Sequence, residues 1–231
     1  MDKTPAARLS PLRLIISGYS LIIVLGTVLL MTPYASRSGV SCTILEALFT
    51  ATSATCVTGL IVHDTWLFWS PFGQAVILLL IEIGGLGFLS FAVLAATFTR
   101  RHIGLRERKL MQESVNAPQL GGIVRMTRFL IFTSLAFQGG AALLLMLRFV
   151  PTYGWRQGIW FSVFHAVSAF CNAGFDLMGG YAPTSSLIRW KADWLVNLVL
   201  MIVIAVGGLG FFVWADIREN RWHFKRYKLQ T

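Results

Sequence analysis

The chain has 231 residues, of which 55% are hydrophobic and 13% are charged, and it carries a net charge of +10. This composition excludes a large soluble domain and indicates an all-α integral membrane protein. The three cysteines lie at no metal-ligand spacing, so the sequence predicts no metal site of that kind.

Four segments are apolar over the roughly 20 residues that a helix needs to cross a hydrocarbon core of about 30 Å. In chain order these segments are 14–31, 72–98, 129–147 and 194–214. Each pair encloses a weaker apolar run, at Ile44–Thr55 and at 159–170. At about 12 residues, such a run is too short to span and is typical of a re-entrant helix.

Fifteen of the 20 basic residues lie before the first span, between the second and third spans, or after the fourth. The positive-inside rule then places both termini and the central linker in the cytoplasm and both hairpins outside. Topology alone explains these charges, so we expect the lipid bilayer and no nucleic acid as a partner. RNA or anionic-lipid binding by the basic segments is the alternative. The predicted organisation is a lead at 1–11, a first repeat at 12–98, a linker at 99–122, a second repeat at 123–217 and a basic tail at 218–231.

A stretch rich in small and hydroxylated residues follows the first short helix and recurs in the second half. FTATSATCVTGL at 49–60 and FHAVSAFCNAGF at 164–175 share six identities in twelve positions at an offset of 115. IGGLGF at 83–88 is echoed by VGGLGF at 206–211, each downstream of one copy. The pattern predicts two repeats of a span–pore loop–span unit.

The first of these stretches predicts a pore loop. Glu46 falls in the first turn of the short helix, where a carboxylate complements the positive end of the helix dipole, and the negative C-terminal end near 53–55 would stabilise a cation. After Gly59 the chain must return outward as extended backbone, which membrane depth tolerates only where it is buried in protein or lines a water-filled cavity. An ordinary extracellular loop that never enters the membrane is the alternative, and two matching copies favour the pore.

Five segments carry a resemblance that covers nearly the whole chain. They are TATSATCVTGL..VHDT, GGLGF, IGLRERKLMQE, VPTYGW and FHAVSAFCNAGF. In this order they resemble the potassium-translocating membrane subunits of the Ktr/Trk superfamily, most closely the KtrB type. The resemblance implies span–pore loop–span units around one permeation path in the cytoplasmic membrane, with K⁺ as the transported ion and backbone carbonyls replacing part of its hydration shell.

Carried over by position, the resemblance implies a selectivity filter of five residues in each loop. These residues are Thr55, Cys56, Val57, Thr58 and Gly59 in the first loop, and Phe170, Cys171, Asn172, Ala173 and Gly174 in the second. Glycine suits such a position because it reaches positive φ and lets several backbones approach one axis without a Cβ. K⁺ would bind through the backbone carbonyls, and no other cofactor is expected in this chain.

The sequence departs from the family pattern in one respect, because the family's subunit has four such units and this sequence contains two. We therefore expect a second copy of the subunit, or a chain carrying the missing two repeats, as a partner. A truncated or split product with its third unit expected beyond Thr231 fits the same pattern. The resemblance also implies a cytoplasmic nucleotide-binding ring subunit and Na⁺ as a coupling or activating ion. The family's gating loop belongs to the third unit, so gating residues cannot be assigned.

Three carboxylates are candidates for the vestibules of the pathway. Asp64 and Asp176 follow the two loops and would lie near the external mouth, where negative charge concentrates cations, or are ordinary solvated loop carboxylates. Glu82 is the one formal charge inside a predicted span, and it would either tune the inner vestibule or pack as a bonded carboxyl between helices.

Two other classes of function compete with transport. His63 and His165 with the nearby carboxylates would form the metal site of an intramembrane hydrolase, but HExxH and GxSxG motifs are absent, so we expect no enzyme. A non-conducting scaffold that binds a cytoplasmic regulatory subunit through 100–119 is the second alternative.

Overall fold

The computed structural model describes residues 11–87, 123–209 and 213. Within them the chain forms helices and no β-strand, which confirms the all-α prediction. The predicted lead, linker and basic tail, and the ends of the spans predicted at 72–98 and 194–214, lie outside the described residues.

The described helices follow one another with short connections. They are α1 (Pro11–Leu30), α2 (Ile44–Thr55), α3 (Thr65–Phe68), α4 (Pro71–Leu86), α5 (Ile123–Phe170) and α6 (Trp194–Gly208). Short 3-10 turns occur at Pro33–Ala35, Met178–Gly180 and Ser186–Trp190. The helix predicted at Ile44–Thr55 has these bounds in the structure. The return segment after Gly59 is non-helical as far as Asp64, and the single turn α3 follows it.

Helix α5 turns a corner at Gly154, which has φ +79° and ψ 169°. The corner separates a long arm, residues 123–153, from a short arm, residues 155–170. The predictions of a span ending at residue 147 and a short helix starting at residue 159 are therefore wrong at both boundaries. The helix continues through Pro151, and the whole connection is a single glycine.

Local sequence explains where the other helices begin and end. Helix α2 starts with a capping box in which Thr43 and Glu46 satisfy each other's backbone amides. Helix α4 starts with Ser70 as N-cap and Pro71 in the first turn. It ends at Leu86 because Gly87 has φ +79°, so the continuous helix predicted through residue 98 is wrong at this glycine.

The helices form one packed group in which α2 contacts α1 and α4, and α5 contacts α4 and α6. Ala47, Ala51 and Ala54 on α2 are completely buried, and such small side chains let helix backbones approach closely. Gln74 of α4 is also completely buried; its amide donates to the Trp69 carbonyl at 2.9 Å and accepts from the Trp160 indole at 2.8 Å. This contact joins the two halves of the chain.

The outer faces of the long helices are apolar. Val28 on α1, Leu143 on α5 and Met201 on α6 are each more than half exposed. Among the described residues, one helical stretch, Thr127–Phe170, has both the length and the apolar composition to cross a membrane. Shorter apolar helices occur at Ile15–Leu30, Pro71–Leu86 and Trp194–Gly208. An apolar exterior of this kind needs lipid or another protein surface to cover it.

Candidate functional site

The first short helix, α2, ends in a Schellman cap. The Val57 amide donates to the Ala54 carbonyl at 3.3 Å, and the Thr58 amide donates to the Ser53 carbonyl at 3.0 Å. Val57 takes the left-handed conformation, with φ +55°. Positive φ is an outlier for a β-branched residue, and such strain persists only where the surrounding structure enforces it.

The short arm of α5 ends in the same way. The Asn172 amide donates to the Ala169 carbonyl at 3.0 Å, and the Ala173 amide donates to the Ser168 carbonyl at 2.8 Å. Asn172 has φ +57°, a conformation that asparagine tolerates well. The two loops therefore leave their helices with matching backbone geometry, at positions that correspond in the sequence alignment.

After each cap the chain folds back against its own helix. The Ser53 hydroxyl donates to the Leu60 carbonyl at 2.7 Å, and the Ser168 hydroxyl donates to the Phe175 carbonyl at 2.6 Å. Gly59 and Gly174, one residue before these carbonyls, have φ +73° and +75°. Each loop is thus fastened at both ends.

The backbone carbonyls between the fastenings have no partner. Those of residues 55–59 and 170–174 accept no hydrogen bond from any described residue. These ten carbonyls belong to the ten residues predicted as the filter. The Thr55 side chain adds to the set, because it is 99% buried and its hydroxyl has no hydrogen-bond partner among the described residues. Of the ten residues, Thr55, Phe170 and Ala173 are buried, while the others are half-buried or exposed. Buried backbone oxygens are rarely left without a partner, so the buried members of the set call for a ligand or water.

The two loops meet at their glycines. A Cβ added at Gly59 would lie 2.5 Å from the Ala173 carbonyl oxygen and 3.3 Å from the Gly174 Cα. The structure therefore brings the two predicted filter segments into direct contact, across 115 positions of sequence. Only a residue without a side chain allows this approach.

Glycines of the long helices allow a second close approach. A Cβ at Gly84 of α4 would overlap the Thr55 carbonyl, and one at Gly207 of α6 would overlap the Phe170 carbonyl. Both glycines belong to the repeated GGLGF segments, and their neighbours in the structure are the first carbonyls of the two loops. Each loop is backed by a helix at van der Waals distance.

Glu82 lies behind the second loop. Its carboxylate accepts from the Gln138 amide at 3.0 and 3.2 Å and from the Cys171 thiol at 3.6 Å. Among the described residues it has no basic partner. Sequence reasoning identified Glu82 but missed Gln138, the one amide side chain in the largely apolar third span, which could have signalled the pair.

Asp64 and Asp176 hold the backbone that follows the loops. Asp64 accepts from the Trp66, Leu67 and Thr184 amides, each at 2.9 Å. Asp176 accepts from the Met178 amide at 2.8 Å. Three of these four amides belong to the first turns of short helical segments, and the fourth, that of Thr184, belongs to the loop after the second segment. Both carboxylates therefore have structural partners beside the loops.

The histidines do not gather the carboxylates into a metal site. His63 pairs with Glu46 at 3.0 Å, while the buried His165 contacts the Phe161 carbonyl at 2.7 Å through Nδ1 and accepts from the Leu177 amide through Nε2. No group of three His, Cys, Asp or Glu side chains that could hold a metal occurs among residues 11–87 and 123–209. The Thr43 amide, the Thr43 hydroxyl and His63 together lower the pKa of the Glu46 carboxyl.

Comparison with known proteins places these features in a wider context. The family model described as "TrkH: Cation transport protein" matches residues 6–230. The chain is 44% identical to the Ktr system potassium uptake protein B of Bacillus subtilis over 97% of the chain and 48% of that protein. It is 42% identical to the potassium/sodium uptake protein NtpJ of Enterococcus hirae over 94% of the chain and 47% of that protein. The chain thus spans about half the length of the curated relatives it matches.

Proposed function

Because the chain belongs to the TrkH family of cation transport proteins, a family of membrane proteins, we propose that it forms part of the ion-translocating subunit of a potassium uptake system. The names of its relatives as potassium uptake proteins support potassium as the cargo. The family is one of transporters and not of enzymes. The observation that carries the proposal is the set of ten unpartnered carbonyls in two matched loops that meet at Gly59 and Gly174.

These carbonyls are the proposed ligands of K⁺. A buried polar group without a hydrogen bond costs about 1–3 kcal/mol, so the buried members of the set, at Thr55, Phe170 and Ala173, would be costly without a ligand or water. The half-buried and exposed members are open to an ion that enters from solvent. A dehydrated K⁺ accepts oxygen ligands and replaces the missing donors, which is how carbonyl-lined filters select cations. The caps at Val57 and Asn172 support this role, because each loop bonds to the end of its helix through backbone amides and leaves its own carbonyls without hydrogen bonds.

Two loops supply only part of a closed ring around an ion. We propose that a second copy of the subunit, or a chain carrying two further repeats, completes the pathway, and that a cytoplasmic nucleotide-binding ring subunit contacts the inner face. The proposed topology has four spans in the cytoplasmic membrane with both termini in the cytoplasm, and Na⁺ as a coupling or activating ion. Asp64, Asp176 and Glu82 would contribute negative potential along the path as well as their structural bonds.

The test is rubidium uptake by potassium-transport-deficient cells that express this chain with and without a separately expressed chain carrying the other two repeats. Gly59→Asp and Gly174→Asp should abolish uptake, because a carboxylate would intrude among the coordinating carbonyls. Gly39→Asp is the matched control: Gly39 also has positive φ, +71°, but its Cβ would meet no atom within 4 Å.

Each outcome of this experiment has a distinct meaning. Uptake by the chain alone indicates that two copies close a pore, and uptake only on co-expression indicates one half of a four-unit subunit. Unchanged uptake in both aspartate variants refutes the filter assignment. If both chains reach the membrane and neither combination transports rubidium, the non-conducting scaffold replaces transport as the best account.

A further inference from the structure

One turn of α4 packs against Cys171 of the second loop. A Cβ added at Gly85 would lie 2.5 Å from the Cys171 Sγ and 2.7 Å from its Cβ, so the backbone of α4 abuts this side chain. Glu82, three residues earlier and hence on the same face of the helix, accepts from the Cys171 thiol at 3.6 Å. A helix from the first half of the chain therefore contacts the second loop through two neighbouring residues.

Gln138 fixes the carboxylate that makes this contact. Its Nε2 donates to both oxygens of Glu82, at 3.0 and 3.2 Å, from the long arm of α5. Gln138 is 95% buried, and the short arm of the same helix carries the second loop. The bonds therefore close a ring that runs from α4 to the long arm of α5, along that helix to Cys171, and back to α4.

We propose that Glu82 is a positioning residue for the second loop, holding Cys171 and thereby the carbonyls of its neighbours Phe170 and Asn172 in place. This inference rests on the proposed function for its effect on ion selection, but the contact itself is independent of transport. Glu82 acts through Cys171 and does not need to touch the ion. This role differs from a vestibule charge, which would act through the electrostatic potential and would not depend on Cys171.

A double-mutant cycle separates these roles. Glu82→Leu and Cys171→Ala should each lower the ratio of rubidium to sodium uptake about tenfold, and the double variant should be no worse than the more damaged single variant, because two residues acting through one contact are not additive. Glu82→Gln, which keeps an oxygen acceptor of the same size without the charge, should recover at least half of the loss. Ile81→Val is the matched control, since Ile81 is completely buried on the same helix.

A second measurement does not require transport. In membranes containing the chain with Cys42→Ala and Cys56→Ser, the remaining thiol, Cys171, is labelled with a maleimide. Glu82→Leu and Gln138→Leu should each raise the labelling rate about fivefold by freeing the loop, whereas Ile81→Val should leave the rate within a factor of two. Gln138→Leu keeps the test valid if the Glu82 variant fails to insert.

Two results would overturn the positioning role. One is a labelling rate that neither variant changes, and the other is a cycle in which the losses of Glu82→Leu and Cys171→Ala multiply. Loss of selectivity in Glu82→Gln equal to that in Glu82→Leu would also count against it and in favour of a vestibule charge. If the variants show increased labelling while the unsubstituted chain takes up no rubidium with or without the other two repeats, the contact is supported and the transport function on which its effect depends is refuted.

Discussion

Replacing Gly59 and Gly174 separately with alanine tests how the two loops meet. The two glycines have nearly the same φ, +73° and +75°, so alanine pays a similar conformational cost at either position, about 1–2 kcal/mol. Their surroundings differ. The new Cβ lies 2.5 Å from the Ala173 carbonyl oxygen at Gly59, but its nearest contact at Gly174 is an ordinary 3.5 Å to the Gly59 Cα.

The extra cost at Gly59 follows from that contact. Real Cβ atoms essentially never approach closer than 3.0 Å, so the loops must separate by at least 0.5 Å. Overpacking of this kind adds about 1–3 kcal/mol to the conformational term. We therefore expect Gly59→Ala to destabilise the protein by roughly twice as much as Gly174→Ala, and to move the Ala173 carbonyl out of its place in the proposed filter.

Two assays read these effects. Thermal unfolding of the purified proteins in detergent should show the larger decrease in midpoint for Gly59→Ala. Rubidium uptake, corrected for the amount of protein in the membrane, should be about tenfold lower in Gly59→Ala than in Gly174→Ala, as expected for an added cost of about 1.4 kcal/mol. Equal losses in the two variants, or a larger loss in Gly174→Ala, would refute the contact between the loops.

The remaining predictions concern the support of the loops and the start of α2. Gly207→Ala should strongly reduce both the amount of folded protein and uptake, because its Cβ would overlap the Phe170 carbonyl. Gly208→Ala should be tolerated, because its Cβ would lie 3.7 Å from its nearest neighbour. Similar amounts of folded protein for the two variants in fluorescence-detected gel filtration would contradict this packing. The pKa of the Glu46 carboxyl is lowered, first by its hydrogen bond from the Thr43 amide, so the ionised carboxylate stabilises the folded protein. This stabilisation is fully present above the ordinary carboxyl pKa and is lost as the pH falls through the lowered pKa. In Glu46→Gln, acid unfolding monitored by circular dichroism should no longer show the part of the pH dependence that comes from this carboxyl. A pH profile equal to that of the unsubstituted protein would show that the ionised cap contributes nothing to stability.

Features set by neighbouring residues could be predicted from the sequence. The bounds of α2 follow from the length of its apolar run and from the Thr43–Glu46 capping box, both of which are local. The matched ends of the two short helices were indicated by the identity of Ser53 with Ser168 and of Gly59 with Gly174, although no local pattern indicated a role for the serine hydroxyls.

Features set by geometry between distant segments could not be predicted. The region after the third apolar run contains Pro151, Thr152 and polar side chains, and it therefore resembles a loop of about a dozen residues, the upper length of ordinary connections. In the structure the Thr152 hydroxyl donates to the Arg148 carbonyl at 2.9 Å and helps the helix to continue to Gly154.

The Glu82–Gln138 pair spans 56 positions. Its formation depends on the rotation of α4 relative to α5, which no local pattern records. The contact of Gly59 with the second loop has the same character, because it depends on how the two short helices are placed together.

The corner at Gly154 makes the two halves of the molecule mechanically unequal. Thirteen residues separate α1 from α2, and this connection is bonded to the segment before α4: the Arg37 amide donates to the Phe68 carbonyl at 2.9 Å, and the Ser70 amide donates to the Ala35 carbonyl at 2.8 Å. One glycine joins the long arm of α5 to the second short helix. A change in the direction of the long arm can therefore reach the second loop through a single backbone position, whereas the first loop is tied to α1 through helix packing and through a hydrogen-bonded connection. Gly154 is thus the one non-helical position between the long arm and the second short helix, so the angle at this glycine sets how that helix and its loop are aimed.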